Sequence, residues 1–285
     1  MNLLKFCKSS SSLLFISVFL IFLTVLYRFH PMSYAIDGEY SEEVELAKLT
    51  WTEVRLLLKT GKTSIIIPTA GIEQNGPHAI LGKHGFIIRY TATAIAKNLG
   101  NALVAPPIET VPQGTIEPPT GHMNFPGTIS MPEEVFEQIL EYSARSFKSH
   151  GFKTILFIGE SGGNQGGQKR IAEKLNKEWE GTNTRVIHVS DYYSGNGQVE
   201  WLQAQGYSKR QIGTHAGIRD TSELLFVFLE GIRKDHLSLE QKYYTELTGR
   251  DGDSSLASKE LGELMLNLKI EAAIKQIERL TAHEE

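Results

Sequence analysis

The sequence predicts an α/β fold built on a mostly parallel central sheet covered on both faces. Short β-branched apolar runs, of the kind buried strands show, alternate along the chain with longer stretches whose apolar residues recur at helical spacing. Glycine or proline punctuates most of the junctions between them. A chain of 285 residues with 41% hydrophobic content has enough apolar side chains for one sizeable core, so a single domain over 36–285 is expected.

Each element has its own signal. Thr50-Trp51-Thr52-Glu53 reads as a capping box opening a helix through Leu58, with Gly61 ending it. Residues 63–68 form the first strand, and a Gly/Pro-rich loop follows over 70–85. Helical spacing over 86–99 closes at Gly100, and 102–106 is the next strand. The long Pro/Gly-rich stretch 106–127 exceeds an ordinary connection, which marks it as functional. Ser130, Pro132, Glu133 and Glu134 open a helix to about His150, and 154–158 is a third strand. A glycine-rich turn over 159–167 leads into a helix at 169–179, then a strand at 185–189, and helices over 221–231 and 258–280 complete the chain.

The N-terminus stands apart from this pattern. Lys5 and Lys8 precede an apolar run from Leu13 to Leu26, and Ser33-Tyr34-Ala35 offers small residues at the two positions a signal peptidase reads. The run is shorter than the roughly 20 residues a spanning helix needs. Residues 1–35 therefore read as a signal peptide cleaved after Ala35, with a periplasmic or secreted product and no stable membrane association once it is cut. Cys7 is the sole cysteine and lies ahead of the run, so the mature chain would have no thiolate nucleophile. A formal net charge of -4 with no basic cluster argues against nucleic acid as a partner.

Polar residues gather in loops that follow strands or precede helices, where sites form in parallel sheets. They are Glu73-Gln74-Asn75-Gly76-Pro77-His78 with Lys83-His84, Gly159-Glu160-Ser161-Gly162-Gly163-Asn164, and His215-Ala216-Gly217-Ile218-Arg219-Asp220-Thr221-Ser222. Carboxylates and imidazoles in such loops suit a divalent ion that activates water.

Taken in order, with His122-Met123-Asn124-Phe125-Pro126-Gly127-Thr128 between the first two, these segments resemble the creatininase family over about residues 49–262. The resemblance implies a three-layer α/β/α sandwich, a homohexamer, and a two-metal site that hydrolyses C–N bonds of cyclic or linear amides. It carries Glu73 over as a first ligand, Asp220 as a late carboxylate and His215 as a proton-transfer group. This chain departs from the family where Asn75 and Ser161 replace ligand histidines and His84 replaces a bridging aspartate. Two divalent cations a few ångströms apart need a shared anion, which a neutral imidazole cannot supply, so one ion is expected rather than two.

The expected site therefore has Glu73, His84 and Asp220 as ligands of zinc or manganese, with His215, Glu160 and Ser161 in catalytic roles. The substrate would be a small polar molecule with an amide or cyclic amide bond, or a carbohydrate or inositol-derived ring. Gly159-Glu160-Ser161-Gly162-Gly163 also fits a nucleophile elbow, which keeps a serine hydrolase open. A non-catalytic ligand-binding protein on the same fold is the remaining alternative. Plainer roles compete at each residue: His84 as a cap for a helix starting at Gly85, Glu160 and Asp220 as acids favoured at helix N-termini, His78 and His122 as loop-positioning groups.

Overall fold

The computed structural model describes residues 42–237 and 249–282. The expected signal peptide lies outside the described residues. Among those described, no helix is long and apolar enough to cross a membrane.

Four parallel strands form the sheet: β1 (Ser64–Thr69), β2 (Ala102–Val104), β3 (Thr154–Gly159) and β4 (Arg185–His188), in the order β2-β1-β3-β4. The helices are α1 (Trp51–Lys59), α2 (Lys83–Leu99), α3 (Glu133–Ser149), α4 (Gly162–Glu178), α5 (Gln198–Ala204), α6 (Lys209–Ile212), α7 (Ile218–Val227) and α8 (Lys259–Thr281). Alternation along the strands sorts side chains to two faces. Ile66, Leu156 and Ile158 pack with Ile88, Ala92 and Ile95 of α2 and with Ile270, Ala273 and Ile277 of α8. Ile65, Ile67, Ile155 and Phe157 face Leu57 of α1, Phe136 and Leu140 of α3, and Ile171 and Leu175 of α4. Helices cover both faces of the sheet, which is the predicted three-layer α/β/α sandwich. Each fully buried Ile, Leu or Phe side chain contributes about 2 kcal/mol, so these two layers carry most of the stabilisation.

Local signals fixed most boundaries. The Thr50/Glu53 capping box forms, Gly100 closes α2 in the left-handed conformation at φ 73°, and the Ser258 side chain caps α8. Three helices begin earlier than the pattern indicated. α2 starts at Lys83 rather than at 86, so His84 lies in its first turn and does not cap it. α4 starts at Gly162, inside the stretch expected as a turn, because two of its glycines accept close neighbours: a Cβ on Gly163 would lie 2.3 Å from the Pro112 carbonyl oxygen, and one on Gly167 2.9 Å from the Phe136 ring. Tertiary packing overrides their poor helix propensity. α7 starts at Ile218 and ends at Val227, short of the expected 231. α5 and α6 are too short to leave a periodic signal. Ser130 does not cap α3, whose N-cap is Pro132; its hydroxyl joins Gln113 N–H (2.9 Å) to the Gly114 carbonyl (2.7 Å), closing the long loop.

β1 lies between β2 and β3, and the chain turns to opposite sides of it to reach them. Such a switch point opens a crevice at the carboxyl ends of the central strands. The loops after β1 and β3 meet there.

Candidate active site

Glu73 sits in the loop after β1 with 2% exposure. The loop is held by Asn75, whose amide nitrogen donates to the carbonyls of Glu73 (2.9 Å), Ile80 (3.2 Å) and Leu81 (3.4 Å). Asn75 is thus a staple of the loop. Glu73 Oε1 accepts from His84 Nε2 at 2.9 Å and faces His122 Nε2 at 3.9 Å and His215 Nδ1 at 3.8 Å. Its Oε2 accepts from the Ser161 hydroxyl at 3.4 Å, which in turn accepts from Gln113 Nε2 at 3.3 Å. Burial alone would raise this carboxyl, but His84 beside it, then His122 and Lys83, bring it down to about 2.

His215 is placed by a bridge between its backbone and that of Asp251, and its Nε2 bonds the Gln74 carbonyl at 2.8 Å. A carbonyl only accepts, so Nε2 carries the proton and Nδ1 presents a lone pair. Burial first, and then the Lys83 charge, lower His215 to about 4, which keeps Nδ1 unprotonated at neutral pH. Ala216 follows in the left-handed region (φ 53°), and its N–H donates to Asp220 Oδ2 at 2.6 Å. Asp220 also pairs with Lys83 Nζ at 3.5 Å. Against the burial penalty, the charges of Lys83 and Arg219 hold Asp220 well below the usual carboxylate range. His78 bonds Thr221 Oγ1 at 2.9 Å and so tethers the first loop to α7.

A second cluster lies on the wall of the same cavity, whose volume is about 840 Å³. Lys269 of α8 donates to Glu160 (2.6 Å) and Glu223 (2.9 Å). Tyr192 O–H also donates to Glu160, Gln198 donates to Glu223 at 2.6 Å, and Thr91 bonds Tyr192 at 2.7 Å. Burial and the nearby Glu160 raise Glu223 despite the opposing Lys269. Glu160 is therefore held inside this cluster rather than beside Glu73.

The donor set fits a divalent ion at Glu73. Glu73, His122 and His215 offer atoms within 4.8 Å of one another. Around a zinc ion with bonds of about 2.0 Å such atoms lie about 3.3 Å apart, so a small contraction would close the set. Two acceptors, Glu73 Oε1 and His215 Nδ1, face each other across 3.8 Å with no proton between them, an arrangement that a cation satisfies. Gln74 Oε1 accepts from Gly76 N–H at 3.0 Å, which turns its Nε2 toward His122 Nδ1 at 2.9 Å. Ligation by His122 Nε2 therefore requires the Gln74 amide to turn.

Of the residues expected as ligands, the structure brings Glu73 and His84 together and sets Asp220 against Lys83. His122, expected as a loop-positioning group, joins the donor set; its place in the 122–128 segment, second of the four along the chain, was the available signal. Lys83 was named within the first loop but given no role, and Glu223 and Lys269, outside every quoted segment, were missed. Ser161 does not have the surroundings of an activated nucleophile: its hydroxyl bonds Gln113 and Glu73, not an imidazole, and its backbone (φ -110°, ψ 150°) is unstrained.

A family model described as creatininase, creatinine amidohydrolase, matches residues 47–277. Creatinine amidohydrolase of Pseudomonas putida is 21% identical over 249 residues, covering 81% of this chain and 95% of that protein. The mycofactocin precursor peptide peptidase of Mycolicibacterium smegmatis is 30% identical over 134 residues, 45% of this chain; the chain matches about half of that relative's length, 51%. A crystal structure of creatinine amidohydrolase superposes with a TM-score of 0.65 at 19% identity, covering 84% of this chain and 98% of its own. A manganese form of creatininase gives a TM-score of 0.64 with the same identity and coverage.

Proposed function

The chain belongs to the creatininase family of amidohydrolases, and from that premise we propose that it is a single-metal hydrolase of a C–N bond in a small polar amide or cyclic amide. The observation that carries this reading is the pair of unprotonated acceptors, Glu73 Oε1 and His215 Nδ1, facing each other in a cavity wall. Glu73, His122 and His215 would hold the ion, a carboxylate and two imidazoles being a donor set that zinc takes in catalytic sites. When bound, the ion supplies Lewis acidity toward a carbonyl and acidifies water.

The chain's own residues do the rest. His84 donates to Glu73 Oε1, the oxygen that faces the two histidines, and so holds it in place. The Gln74 carbonyl sets the tautomer of His215, which leaves it as a ligand rather than the proton carrier expected from the sequence. The proton for the departing nitrogen is assigned instead to the Glu160–Lys269–Glu223 cluster, where the Lys269 ammonium donates to both carboxylates and burial raises Glu223 against the pull of Lys269. Asp220, ionised and 23% exposed, orients the polar end of the substrate. Export of the mature chain from Ile36 onward belongs to the same proposal.

Elemental analysis of purified protein, dialysed without chelator, tests the reading. About one zinc or manganese per chain supports it and directs a screen toward small linear and cyclic amides, with sugar-derived rings as the comparison set. No metal, even after reloading, would remove the metallohydrolase.

A further inference from the structure

Lys83 occupies the first position of α2, where the helix dipole disfavours a cation, and His84 stands beside it. The Lys83 side chain is 1% exposed. Its ammonium has no hydrogen-bond partner and is closed off from water, and it lies 3.5 Å from Asp220 Oδ2. A buried ammonium without hydrogen bonds is costly, and α2 has no local need of it, so its position has to be explained by the charges it faces. Those charges are Asp220 directly and Glu73 within its field.

We propose that the Lys83 ammonium is a built-in cation of this site, neutralising Asp220 in place of a second divalent ion and restricting the site to the one ion at Glu73. Charge counting supports this. Of the charges lining the cavity, Glu73 and Asp220 act on Lys83 and Arg219, a group of two negative and two positive, while Glu160, Glu223 and Asp251 with Lys269 and Arg250 add three negative and two positive outside it. One divalent ion leaves this group at plus two. A second, placed on Asp220 with the Lys83 ammonium 3.5 Å from the same carboxylate, would raise it to plus four. Asn75 commits its amide nitrogen to three carbonyls of its own loop, and its Oδ1, buried without a partner, could offer such an ion only a neutral oxygen that does nothing to offset the added charge. Asp220 keeps a second bond, from Ala216 N–H, which ties the Lys83 charge to the loop carrying His215.

The inference rests on the single-ion reading only for the ion at Glu73, and the test separates the two. Metal-free full-length protein is titrated with Mn²⁺ by calorimetry, and bound metal is counted after dialysis. Wild type is expected to saturate at one ion per chain, and Lys83→Gln, which removes the charge, at one ion more than wild type. Lys83→Arg, which keeps the charge, should match wild type. Asp220→Asn should keep its ion with affinity within about threefold of wild type, because Asp220 holds Lys83 and not the metal. Two ions on wild type, equal counts for Lys83→Gln and wild type, or loss of the ion in Asp220→Asn would each overturn the inference. If Lys83→Gln fails to fold by circular dichroism, the wild-type and Asp220→Asn counts decide. If wild type binds no ion, the single-metal reading falls, and the Lys83 inference is decided by whether Lys83→Gln takes up one.

Discussion

Two buried charge clusters line one cavity and differ in one respect, the satisfaction of their polar atoms. Around Lys269 the partners close on one another: two carboxylates take its ammonium at 2.6 and 2.9 Å, and Tyr192 and Gln198 complete them. Around Glu73 they do not. His84 Nδ1 and Asn75 Oδ1 are buried without hydrogen-bond partners, Lys83 Nζ has only its 3.5 Å ion pair with Asp220, and His215 Nδ1 stands 3.8 Å from a carboxylate it cannot bond. Unsatisfied buried polar atoms cost free energy and are rare, so a group of them marks the place where a ligand completes the structure. The satisfied cluster completes itself within the fold; the unsatisfied one is where we place the proposed ion.

The sharpest way to break this contrast is Glu73→Gln. It should lower kcat/KM by on the order of 10³-fold or more and remove bound metal, with the urea midpoint little changed; retained turnover with a full metal count would end the assignment of the ion to Glu73. Lys269→Met should act first on stability. Leaving two buried carboxylates without their cation should destabilise the protein by roughly 3–5 kcal/mol in urea unfolding, and a loss below 1 kcal/mol would show that the cluster is not a keystone of the fold.

A smaller effect comes from pH. Burial first, and then the charges of Arg250 and Lys83, bring His78 down to about 4 from its usual 6.5. Between those values the unfolded chain holds the proton and the folded one does not, so stability rises with pH across the window. This contribution, about 3 kcal/mol for a shift of that size, is fully present above about pH 6.5 and is lost as pH falls toward 4. Urea titrations of metal-free protein at pH 4.5 and 7 should show it, and His78→Gln should reduce the difference, with His215 contributing the remainder over the same window. An unchanged pH slope in that variant would move the effect elsewhere.

Legibility differed between the layers and the site. The strand at 154–158 and the helix entered by Thr50 were readable because every determinant lies within a few residues: β-branched runs, a capping hydroxyl, a glycine stop. The starts of α2 and α4 were misread because their first turns are held by distant groups, Glu73 and Asp220 for His84 and Lys83, Pro112 and Phe136 for the glycines. Glu73 was readable as a functional residue from its motif, whereas the partners that define its chemistry were legible only as separate motifs.

The sequence by itself determined the α/β class, the parallel sheet, the loops that carry the site and the loss of the family's bridging carboxylate at His84. Periodicity, caps and motif order are local properties, written in neighbouring residues. Only the tertiary structure decided which groups meet: His215 with the Gln74 carbonyl 141 residues away, and Lys269 with Glu160 across 109 residues. It also decided that Asp220 answers to Lys83. The reason is physical: charge and hydrogen bonding act over a few ångströms of space, and only folding brings residues so far apart in the chain within that distance.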